Sequence, residues 1–218
     1  KDFTFWNHLI GFSSRLLYQL DIVILSFFTS LAVLGDYTVA LTISNVFFIV
    51  PQIIQKLSTL SFSQVEKTSD AVGLGYTIKY NFILSVAQYA VFLIFGYWII
   101  AFFGPQNPDG VLYYSFFIVT GVTLYNIARP WIAYSFVRLN NKTIFFELFA
   151  PVGLLAIAIY SIAAAYGGVD AVAKSNILTY GLAAVLSIGY VTYRLRIFPQ
   201  FSLFSPVEKR LVKKWLQR

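Results

Sequence analysis

An all-α integral membrane protein with six transmembrane helices is the fold class that three features of this 218-residue sequence predict. Composition is the first: 58% of residues are hydrophobic and 11% are charged, with a mean hydropathy of +0.72. Ordinary soluble domains carry about 25% charged residues. The second is a set of six apolar runs. Each is long enough to cross roughly 30 Å of hydrocarbon, which takes about 20 residues at about 1.5 Å per residue. The third is that the segments between runs are rich in turn formers. A membrane β-barrel would need alternating segments of about ten residues, whereas these runs are apolar on every face.

The runs cover residues 5–28, 37–55, 80–103, 111–137, 144–166 and 177–195. Between them fall VLGDY at 33–37, GPQNPDG at 104–110, RLNNK at 138–142 and YGGVDAVAKS at 166–175. The opening stretch lacks the basic start and small-residue cleavage site of a signal peptide. With Lys1 at its start and no methionine anywhere, the chain is expected to be part of a longer or processed polypeptide.

Orientation follows from lysine and arginine, which are retained on the cytoplasmic side of short loops. With Lys1 in the cytoplasm, thirteen basic residues lie at inner ends or loops and only Lys174 lies outside. Arg15 and Arg129, within the runs, complete the 16. Both termini are then cytoplasmic. Asp36, Asp109 and Asp170 fall in the outer loops. Tyr97, Trp98, Tyr113, Tyr114 and Tyr166 mark the outer interface, and Trp6, Tyr76, Tyr134 and Tyr193 the inner one. The Asn141-Lys142-Thr143 sequon faces the cytoplasm in this topology and stays bare. Residues 1–204 thus form the transmembrane bundle, and 205–218 are expected to form a basic amphipathic cytoplasmic helix. There Ser205, Pro206 and Glu208 provide a start signal, and Val207, Leu211 and Trp215 an apolar stripe.

The charges inside the runs bear most directly on function. An arginine or aspartate at mid-bilayer costs about 2.5–3.5 kcal/mol on insertion scales, so such residues usually face a bundle interior or a wet cavity. In an unbroken first helix, Arg15 and Gln19 share a face. Asp21 lies about 120° away, with Ser14 and Tyr18 on its side. In the fourth run Pro130 cannot donate a backbone hydrogen bond, so the carbonyl of Asn126 loses its helical partner beside Arg129. Pro51 frees the carbonyl of Phe47 in the same way, near Asn45, Gln52 and Gln55. Asn81 and Gln88 add polar positions in the third run. Freed backbone groups of this kind either line a cavity or are bonded by neighbouring helices. Arg15 and Arg129 are therefore candidate cavity residues, with Gln19, Asp21, Asn45, Gln52, Asn81, Gln88 and Asn126 as further polar candidates. Structural alternatives are snorkelling for Arg15, an ion pair with Asp21 or Glu147 for Arg129, and helix-to-helix amide bonds for Asn45, Gln52, Asn81 and Gln88. Glu147 and His8 are expected at the interface.

With no cysteine and one histidine, zinc clusters, disulfides and Cys/His nucleophiles are excluded. There is no phosphate-binding GxxxxGK loop, no GxSxG, and no pair of carboxylates on one face. No enzyme activity, metal, cofactor or nucleic-acid partner is expected. Two arginines against one deep acid suit an anion, above all a phosphate, which guanidinium groups meet with paired hydrogen bonds.

The stretch LDIVILSFFTSLAVLGDYTVALTISNVFFIVPQIIQ, 20–55, resembles the polysaccharide transporter (oligosaccharide flippase) family. Halves of that family open with an aspartate, a span, a Gly-x-Tyr-x-x-Ala turn and a second span. Asp21 and Gly35 to Ala40 stand at those places. YGGVDAVAKSNILTYGLAAVLSIGYVTYRL, from 166, is similar to the family's penultimate loop and last span, with Asp170 replacing the second glycine of its Tyr-Gly-x-x-Gly-Ala pattern. The resemblance implies one six-helix bundle of a two-bundle fold shared with multidrug and toxin extruders and lipid II flippases. This chain would be the C-terminal half, in the bacterial plasma membrane. It further implies flipping of an undecaprenyl-diphosphate-linked oligosaccharide to the outer leaflet by alternating access, with Arg15 and Arg129 on the diphosphate. Expected partners are that lipid, membrane lipids and the N-terminal half, with a polysaccharide polymerase and glycosyltransferases as further candidates. Asp21 would tune the arginines or couple to an ion. The alternatives are a cation-coupled small-molecule exporter of the same fold and a non-transporting scaffold of a polysaccharide assembly system.

Overall fold

The computed structural model describes residues 2–64 and 70–199, which are helical and contain no strand. Four of its helical segments are long and apolar enough to cross a membrane, the architecture of a multi-pass membrane protein. In chain order the helices are α1 (Asp2–Leu17), α2 (Leu20–Leu25), α3 (Leu31–Gln64), α4 (Asp70–Phe103), α5 (Pro108–Arg138), α6 (Asn141–Ile144) and α7 (Ala150–Leu195). A π-helical turn, Phe145–Phe149, joins α6 to α7. The expected tail helix at 205–218 lies outside the described residues.

The first apolar run is not one helix. It breaks at Tyr18 and Gln19, where tight i to i−3 bonds from Tyr18 N to Arg15 O (3.2 Å) and from Gln19 N to Leu16 O (3.0 Å) close α1. No proline or glycine dictates this. The side chains at 18 and 21 both engage the interior, and their tertiary contacts override local helix preference. The next connection also differs from expectation: VLGDY is inside α3, which begins at Leu31, and the turn occupies 26–30. At 34 residues each, α3 and α4 measure about 51 Å, well beyond the hydrocarbon thickness.

The fifth run from Ala150 onward and the whole sixth run lie within the one α7 segment, which doubles back at Gly168. Its φ of 61° and ψ of −150° occupy a region open essentially to glycine alone. Tyr160 Oη donates to Asn176 Oδ1 at 2.9 Å, and Tyr190 Oη to Glu147 Oε2 at 2.8 Å. Both pairs are nearly equidistant from Gly168, as an antiparallel hairpin requires. The expected loop at 166–175 is therefore a one-residue break. A single glycine supplies the reversal, and Ala171, Val172 and Ala173 stay helical.

α5 is the buried axis, packed against α3, α4 and α7. Asn107 caps it, accepting from Gly110 N at 3.1 Å, and Pro108 takes a first-turn position where its missing N–H costs nothing. Gly121 sets its distance from α7, since a Cβ there would lie 2.6 Å from the carbonyl oxygen of Asn176. Tyr134, expected at the interface, is instead buried edge-on against Phe62, with ring centroids 5.3 Å apart. Asn141 of the sequon is buried as well. Large apolar side chains such as Phe82, Ile94, Trp98, Leu154 and Val185 face outward, a surface suited to lipid rather than water.

Candidate functional site

The two prolines organise the polar interior. The Asn126 carbonyl freed by Pro130 accepts from Asn81 Nδ2 at 2.6 Å. The Phe47 carbonyl freed by Pro51 accepts from Asn126 Nδ2 at 3.2 Å. Each helix break is thus bonded by an asparagine of a neighbouring helix, joining α4 to α5 and α5 to α3. Asn81→Ala is expected to cost about 1 kcal/mol of stability in wild type. It should cost close to nothing in a Pro130→Ala background, where residue 130 can itself bond the carbonyl. Thermal melts of the four proteins measure this, and equal costs in both backgrounds would contradict it.

Asn126 also orients Arg129. The guanidinium is 3% exposed. It donates from Nε to Asn126 Oδ1 (2.7 Å), from one terminal nitrogen to Gln55 Oε1 (2.7 Å), and from the other to Tyr18 Oη (3.0 Å). The rings of Phe48, Tyr125 and Tyr18 lie 5.3, 5.7 and 5.9 Å from its central carbon. No carboxylate is among these partners. The alternative pairings with Asp21 and Glu147 are not made: Glu147 sits beside Arg194, at 3.5 Å, and Tyr190. The charge of Arg129 is stabilised by neutral acceptors and ring faces but not neutralised. Three of the five N–H groups of a guanidinium are used, which leaves two.

Arg129 lines a cavity of about 340 Å³ between α1, α3 and α5. It runs from Tyr125 and Arg129 at mid-bundle toward Gly11, Lys56 and Thr59. Arg15 and Gln52 also line it, as does Lys56, which sequence reasoning placed only as a loop charge for topology. A signal existed, because Gln52, Gln55, Lys56 and Thr59 recur at i, i+3, i+4 and i+7, one polar face of α3. Arg15 and Lys56 are exposed within this cavity. Among the described residues, three cations and no acid line it.

Asp21 lies in a separate, dry cluster. It is fully buried, accepting from Ile22 N at 2.8 Å and Tyr37 Oη at 2.5 Å. Tyr37 Oη in turn accepts from Asn176 Nδ2 at 2.9 Å, and Asn176 Oδ1 holds Tyr160. The cluster ties α2 to α3 and to both arms of α7, and it makes no contact with either arginine of the cavity. Of the remaining candidates, Gln19 is exposed at the helix break, and Asn45 is half-buried in α3 outside the cavity. Gln88 keeps a buried oxygen without a protein partner on α4. The structure therefore unites Arg15, Arg129, Gln52, Asn126 and Asn81 through the cavity and its supporting bonds, and leaves Gln19, Asp21, Asn45 and Gln88 elsewhere. No group of three or more potential metal ligands occurs among the described residues.

No protein-family model, curated protein or solved structure matches the chain.

Proposed function

We propose that this chain is one bundle of a flippase for polyprenyl-diphosphate-linked oligosaccharides, its cavity receiving the diphosphate. The observation that carries this reading is the cavity lined by Arg15, Lys56 and Arg129, with no acidic residue among its described lining. Such a chamber attracts anions, and guanidinium groups match phosphate oxygens geometrically. At about 340 Å³ it has room for a diphosphate but not for an oligosaccharide, which would extend beyond this bundle. The reading takes the broken first run and the two arms of α7 as crossings, giving six in all and placing both ends on the basic, cytoplasmic side. Contact between Asp21 and Tyr37, both in the stretch that resembles the transporter family, also supports it. A cation exporter would favour an acidic or apolar chamber, and a scaffold has no need of a charged one.

Flipping of a polyprenyl-diphosphate sugar in proteoliposomes tests the proposal. The pair Arg15→Gln and Lys56→Gln, both exposed and without side-chain bonds among the described residues, is expected to slow flipping about tenfold while the protein remains folded. Unchanged flipping by the folded double variant would overturn it.

A further inference from the structure

We infer that the outer face of the α7 hairpin, at the end of the bundle carrying Arg194 and Arg196, holds one anionic phospholipid. A groove of about 460 Å³ runs between the two arms, floored by Pro151, Val152, Val185, Leu186 and Gly189. Val185 is 67% exposed, so the groove faces the surroundings of the bundle rather than its core. Gly189 helps to keep it open: an added Cβ there meets nothing within 4 Å. A groove of this width and polarity, on a surface otherwise covered by apolar side chains, fits an acyl chain.

The rim selects the headgroup. Tyr193 lines both this groove and a second depression of about 380 Å³, which Arg194, Arg196 and Thr192 share. Glu147 balances Arg194, with 3.5 Å between them. Arg196 has no acidic partner among the described residues. It stands just past the end of α7 in a left-handed conformation, with φ 49°, and its side chain is exposed while the next residue, Ile197, is buried. The rim therefore carries one net positive charge beside two tyrosines, Tyr190 and Tyr193, at the level where aromatic and basic side chains meet headgroups. The chain's own C-terminal residues have the sign of charge of this rim and not its complement, since Lys209, Arg210, Lys213, Lys214 and Arg218 outnumber Glu208 in their sequence. A phospholipid carrying a net negative charge complements both features at once.

Native mass spectrometry of the whole chain in neutral detergent, titrated with phosphatidylglycerol or phosphatidylcholine, tests the inference. One phosphatidylglycerol is expected to bind about fivefold more tightly than phosphatidylcholine. Arg196→Gln, which breaks no bond among the described residues, should abolish that preference. Gly189→Phe, which fills the groove without displacing backbone, should weaken both lipids. Equal binding of the two lipids to wild type, or undiminished binding to Gly189→Phe, would overturn it. The Arg196→Gln and Gly189→Phe comparisons leave Arg15, Lys56 and Arg129 unchanged, so they isolate this groove from the chamber tested by flipping.

Discussion

Asn126→Ala is expected to lower stability by about 2 kcal/mol. Its side chain serves two buried groups: it donates to the Phe47 carbonyl that Pro51 leaves free, and it accepts from Arg129 Nε. Both lose their partner in the variant. Orphaned buried groups cost about 1–3 kcal/mol each, with values in membrane helices toward the lower end. The test lies in its coupling to Pro51. In a Pro51→Ala background the new N–H can bond the Phe47 carbonyl, so Asn126→Ala should cost about 1 kcal/mol less there than in wild type. Melting the four proteins of the cycle in one detergent measures this. An identical cost in both backgrounds would mean that the Phe47 carbonyl has no need of Asn126.

Gly121→Leu is expected to prevent α5 from docking on α7, leaving no properly folded protein. Even the Cβ of alanine would sit 2.6 Å from the Asn176 carbonyl oxygen and 2.9 Å from the Tyr180 ring. A backbone carbonyl cannot yield without moving its helix. That helix also carries the Asn176 side chain, which bonds Tyr37 and Tyr160, so the shift spreads to the cluster around Asp21. Overpacking of this kind costs about 1–3 kcal/mol for a small addition and more for a large one. Gly181→Ala is the control on the same contact, since its Cβ would meet only the end of Leu124, at 3.7 Å. Tryptophan-fluorescence melts should place Gly121→Ala well below wild type and Gly181→Ala beside it. Coincident melts for all three proteins would contradict the close approach.

Comparison of sequence with structure separates local signals from tertiary ones. The apolar runs, the turn at 104–107 and the carbonyls freed by Pro51 and Pro130 follow from local chemistry and were legible. What bonds those carbonyls was not, because Asn81 and Asn126 are brought to them by packing between helices far apart in sequence. The break at Tyr18 was hidden for the same reason: an arginine 111 residues away and a ring box of Phe48, Tyr125 and Tyr180 hold Tyr18. The helical-wheel relation between Arg15, Gln19 and Asp21 fails at that break, and Asp21 joins Tyr37 instead. At 166–175 the glycines located the reversal but not its sharpness, which one residue with positive φ accomplishes. Lys56 was overlooked because a lysine near a helix end reads first as a topology signal, although its spacing from Gln52 already put it on the polar face.

The most direct measurement of the central claim is equilibrium binding of a short-chain polyprenyl diphosphate to the purified protein, compared with the matching polyprenol, as salt is raised. A chamber whose described lining holds three cations and no acid should bind the diphosphate at least tenfold more tightly than the alcohol. That advantage should shrink as salt screens the exposed Arg15 and Lys56, and largely disappear in the Arg15→Gln/Lys56→Gln protein. Equal affinity for diphosphate and alcohol, at every salt concentration, would contradict the account.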